Sequence, residues 1–163
     1  MRLFIRLLAM AVLLACLVGC TRGVRTASEE LAALLGETIR LPKGRLYTSE
    51  AKDYEGGLVL DGPLLRTLYA RDDGRCEYEG HVESGAVFLG TEAEGYTEIG
   101  LFLCYGSADS RLLAEMCRRR AKLLAEAGVP SAGDVLISVR GRWVVYLLTS
   151  DRALRDALTE RLT

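Results

Sequence analysis

The stretch Thr97-Glu98-Ile99-Gly100-Leu101-Phe102-Leu103-Cys104-Tyr105 decides how this chain folds. It is apolar at both alternating positions, the pattern of a strand in the middle of a sheet. Gly106-Ser107 ends it, and Ser107 or Asp109 can cap a helix running to about Ala127, which Gly128-Val129-Pro130 closes. Further on, Val135 to Val139 and Trp143 to Thr149 are β-branched and aromatic runs. Arg140-Gly141-Arg142 between them has the spacing of a tight hairpin. Ser150-Asp151 then caps a last helix, with Leu154, Leu158 and Leu162 in one stripe.

Working back from the central strand, Cys76 to Val82 and Val87-Phe88-Leu89 read as two short strands. Asp61-Gly62-Pro63 is a helix start with Asp61 as cap; Leu64, Leu65 and Leu68 share a face, and Asp72-Asp73-Gly74 stops the helix. From Glu37 to Leu60 the pattern is broken by Pro42, Gly44, Gly56 and Gly57, leaving room for one or two short extended pieces. Thr26-Ala27-Ser28-Glu29 has capping-box spacing and opens a first helix that ends near Gly36. After that helix the order α, β, β, α, β, β, α predicts an α+β fold. The expected architecture is a two-layer sandwich, an antiparallel sheet with helices packed on one face.

The amino terminus has another logic. Arg2 and Arg6 precede twelve uncharged residues, Leu7 to Val18, which is short for a permanent membrane span and has the shape of an export signal. Its exit, Leu17-Val18-Gly19-Cys20, resembles the lipobox of bacterial lipoproteins. That resemblance implies cleavage after Gly19 and a diacylglyceryl group on the Cys20 sulfur, with two or three acyl chains anchoring the product firmly. The expected organisation is a signal peptide at 1–19, a lipidated Cys20 with a short tether to residue 26, and one α+β domain at 27–163, best defined over 60–162. Cys16, deep in the apolar run, leaves with the signal. Position 21 is Thr, not the Asp that marks inner-membrane retention in double-membrane bacteria.

Removing residues 1–19 from the 163 leaves 144, enough for one domain with a real core. Losing Arg2 and Arg6 leaves 19 basic against 22 acidic residues, net −3, a balance that gives no reason to expect nucleic acid. With Cys20 acylated, Cys76, Cys104 and Cys117 remain. Their odd number and irregular spacing favour three buried hydrophobes over a disulfide plus a free thiol. No Cys-x-x-Cys or Cys/His cluster suggests zinc, and no cofactor motif is present.

The order of motifs in the exported part is similar to that of small exported lipoproteins of Gram-positive bacteria built on a single domain of unknown function. The shared features are a helix ending in Leu68-Tyr69 before the acidic pair Asp72-Asp73, the aromatic Tyr78 and a Glu98-Ile99 strand start. They continue with an Arg-bearing helix, Arg118-Arg119-Arg120, and the hairpin strand Gly141-Arg142-Trp143-Val144-Val145. The likeness covers roughly residues 60–162 and the signal, and it brings no reaction, ligand or catalytic residue. Gly23 to Gly57 departs from it, being richer in glycine and basic residues.

Few residues point to chemistry. On a wheel of 109–127, Leu112, Leu113, Met116, Leu123, Leu124 and Ala127 share a face with Arg120 in its middle. A charge there needs a partner, and Glu98 is the candidate, as a buried structural pair. Arg118-Arg119-Arg120-Lys122 otherwise reads as a solvated face, with attraction to anionic lipid as a weaker alternative. His81 is the only histidine, and Gly-x-Ser-x-Gly is absent. The acidic residues Asp72, Asp73, Glu77 and Glu79 fit no calcium loop. The sequence therefore favours an envelope lipoprotein at the cell membrane, its partners being the bilayer through Cys20 and an envelope protein or small ligand. Such a protein acts by binding, with no catalytic residue assigned. The alternative is a hydrolase-like envelope enzyme using His81 or a thiol.

Overall fold

The computed structural model describes residues 25–51, 57–90, 95–129 and 134–162. The apolar run, Cys16, Cys20 and the tether up to residue 24 lie outside the described residues. Thr26 caps α1 (Ala27–Leu35): its hydroxyl accepts from the Glu29 N–H, and the Glu29 carboxylate accepts from the Thr26 N–H. After the short strand β1 (Gly44–Thr48), the Asp61 carboxylate accepts from the Leu64 N–H and starts α2 (Gly62–Tyr69) with Pro63 in its first turn. Then follow β2 (Val82–Gly90), β3 (Thr97–Cys104), α3 (Ser107–Glu126), β4 (Leu136–Arg140), β5 (Trp143–Thr149) and α4 (Arg152–Leu162). Asp151 starts α4 by accepting from the Leu154 N–H.

The strands form one sheet in the order β1-β2-β3-β5-β4, every neighbouring pair antiparallel. Leu101 of β3 stands opposite Val145 of β5, which in turn stands opposite Ser138 of β4. β3 is central, and all eight of its residues are buried. On one face Phe102, Cys104, Val144, Tyr146 and Leu148 pack against Leu65, Leu68 and Tyr69 of α2 and Leu113, Met116 and Cys117 of α3. A Cβ at Gly100 would stand 2.9 Å from the Phe102 ring and 3.3 Å from the Tyr146 ring, so glycine there lets two aromatic rings lie over the strand.

The α+β class and the antiparallel sheet are as expected. The helices are divided, however: Ile99, Leu101, Val145 and Leu147 on the opposite face are covered by Ala27 and Leu31 of α1 and Leu154 and Leu158 of α4. Helices on both faces replace the expected single layer, because apolar residues alternate through β3 and β5 and each set has to be kept from water.

Three smaller expectations change. Residues 77–80 form turns, not a strand, with the Glu79 N–H bonded to the Cys76 carbonyl and the His81 N–H to that of Tyr78. The two expected short strands are thus replaced by the single strand β2, with a bulge between Val82 and Ser84. The cap of α3 is Gly106, which has no side chain to give, while Asp109 is engaged elsewhere. The buried side of α3 is rotated toward Ser110, Cys117 and Ala121, leaving Leu112 and Leu123 exposed.

Candidate functional site

Glu98 and Arg120 meet inside the α2–α3 face. The Arg120 guanidinium donates from Nη2 to Glu98 Oε2 at 3.0 Å and from Nε to both carboxylate oxygens at 3.3 Å. Glu98 is wholly buried, whereas the Arg120 side chain keeps 15% exposure. Two hydroxyls complete the carboxylate's shell, Tyr69 donating to Oε1 at 3.2 Å and Tyr96 to Oε2 at 2.6 Å. Burial first, and the negative Glu98 second, push both phenols well above their ordinary range, so both stay protonated donors. Burial works against the Arg120 charge, but Glu98 outweighs it and the guanidinium is held more firmly protonated. Tyr146 stands over the same cluster, its buried hydroxyl without a partner among the described residues.

Tyr96 was open to sequence reasoning, because a side chain two residues before Glu98 falls on the same side of the strand. Tyr69 and Tyr146 were not, since they arrive from α2 and β5.

The other singled-out residues lie elsewhere. His81 Nδ1 is 2.9 Å from Asp109 Oδ1, and among the described residues the ring bonds to no hydroxyl or thiol. Cys76, Cys104 and Cys117 are buried and unbridged. Burial raises all three thiols, that of Cys104 to about 11, which makes them poor nucleophiles.

The basic run is divided by partner. Arg118 pairs with Glu115 and Lys122 with Glu126 in solvent, while Arg119 shares the half-buried Glu77 with Arg71. Asp72, Asp73, Glu77 and Glu79 build no cation site: among the described residues no group of three or more such ligands could hold a metal. None of the described helices is long and apolar enough to cross a membrane.

A small pocket of about 110 Å³ opens on the other face, between α1, the last turn of α4 and the β4–β5 hairpin. Leu34, Leu101 and Val145 supply apolar lining, and Glu30, Ser138, Arg140 and Arg161 its polar groups. Trp143, the one tryptophan of the chain, forms part of the wall. The Arg161 guanidinium is fixed by donating to the Leu34 carbonyl and to Thr38 Oγ1, both at 2.8 Å. No local pattern announces a pocket whose walls lie over 120 residues apart, as the 127-residue separation of Leu34 and Arg161 shows.

No family model, curated protein or solved structure matches this chain.

Proposed function

We propose that this chain is an exported lipoprotein, anchored in a membrane through acylated Cys20, whose domain works in the cell envelope by binding a ligand or partner without covalent chemistry. The observation that carries the reading is the apolar run Leu7 to Val18 ending in Gly19-Cys20, with the cap of the first helix at Thr26. The cap lies six positions after the anchor, with five residues between them. Fully extended, those six steps reach about 20 Å, so the anchor holds the folded body against the lipid surface. On the domain side, buried thiols held protonated, and a His81 ring that bonds to no hydroxyl or thiol among the described residues, favour recognition over nucleophilic attack.

Metabolic labelling of the native chain with a palmitate analogue, with Cys20→Ala alongside and intact mass on the product, tests the anchor. Label on the wild type alone, and a mass beginning at Cys20 plus acyl groups, are expected. A product that keeps residues 1–19, or one that begins at Cys20 without acyl mass, overturns it.

A further inference from the structure

The surface depressions of this molecule differ in how their charges are used. In the one beside α4, Arg152 faces Asp156 and Arg155 faces Asp134. In those between α2 and α3, Arg71 and Arg119 are held by Glu77, Arg118 by Glu115 and Lys122 by Glu126. The pocket under the β4–β5 hairpin is built differently. Among the described residues Arg161 donates only to neutral oxygens there, and the side chains of Arg140 and Ser138 have no polar partner. Glu30, also on the wall, is occupied by Arg25 at 3.1 Å.

We propose that this pocket binds a carboxylate bearing one small apolar group, supplied either as a free acid or as the last residue of a peptide. The inference rests on the reading of the domain as a binding module and names what it binds. A guanidinium is a planar fork of five donors suited to a carboxylate, and Arg161 is already immobilised by two bonds, so little freedom is lost when it takes an anion. Arg140 stands directly across the hairpin from Trp143, which puts a second guanidinium beside the same wall.

The apolar end of the ligand meets Leu34, Leu101 and Val145. Size limits it: a cavity of about 150 Å³ takes a benzene ring. A pocket of about 110 Å³ suits a branched four-carbon group and houses only the end of a longer chain.

Trp143 reports the site without a label. The full-length chain in detergent is titrated with isovalerate, with N-acetyl-leucine, and with a short peptide ending in leucine, each beside its neutral amide. A saturable change in tryptophan emission is expected for the acids, at least tenfold weaker for the amides. Arg140→Gln is expected to weaken acid binding at least tenfold and Arg140→Lys to retain most of it. Arg111→Gln, an exposed arginine on α3, is expected to leave it unchanged. A peptide acid at least tenfold tighter than N-acetyl-leucine identifies a chain end as the source; equal or weaker binding identifies the free acid.

No saturable change with any acid, equal binding of acids and amides, or an unaffected Arg140→Gln overturns the proposal. Acylated Cys20 together with a silent pocket removes this inference and leaves the anchor standing. Acid binding by an unacylated chain does the reverse.

Discussion

At Glu98 the cost of losing a partner depends on which partner goes. Arg120 keeps a path to water, because its side chain is partly exposed and its long stem can turn the guanidinium outward. Glu98 has none; without Arg120 its buried carboxylate keeps two phenol donors and no positive charge. Arg120→Met is therefore expected to destabilise the protein by about 3 kcal/mol or more, and Glu98→Ala by less, read from denaturant unfolding at neutral pH. The reverse ranking would show that the guanidinium, not the carboxylate, is the stranded group. This pair was legible in the sequence because a charge in an apolar stripe demands a counter-charge. The tyrosines from α2 and β5 were not, since nothing local to Glu98 encodes which rings the fold delivers above it.

Among the elements, α2 shows how a local signal serves a distant contact. Its eight residues are too few to be stable alone, so the Asp61 cap and the packing of Leu65, Leu68 and Tyr69 hold it together. Asp61→Ala is expected to cost about 1 kcal/mol in chemical denaturation and Asp61→Asn much less, because asparagine still accepts from the Leu64 N–H. The caps at Thr26, Asp61 and Asp151 were all readable, being short-range chemistry. The start of α3 was not: Asp109 has the composition of a cap, but His81 claims it from outside the helix. Residues 77–81 misled in the same way, since Tyr78 and its neighbours sit in turns that pass through Gly80, whose φ is 79°.

For the molecule as a whole, the second helical layer is the main feature a linear reading of element order missed, although β3 carried its signature. A strand apolar on both sides needs cover on both, and α1 and α4 complete it. The closed interior also sets the response to alkali. Burial raises the thiols of Cys76, Cys104 and Cys117 and takes Tyr78 up to about 12.

These groups stay protonated in the folded chain while the unfolded chain begins to lose their protons near pH 9 to 10. The unfolded state then binds fewer protons, so stability is fully present below that range and falls as pH rises through it toward the folded values. Urea midpoints measured from pH 7 to 10.5 are expected to hold steady and then drop above about pH 9. Alkylation of the three thiols is expected only once the chain unfolds. A flat profile, or rapid labelling of the native protein, would show that the interior admits water.

The guanidinium of Arg161 occupies the place a side chain at Gly36 would need, 2.7 Å from the Cβ position, and so joins the first helix of the described chain to the last. A chain synthesised from its amino end therefore cannot finish its second layer until Arg152–Leu162 has emerged. Until then Ile99, Leu101 and Leu147 lack half of their shelter and that face of the sheet stays wet. Arrival of α4 is the step that closes it.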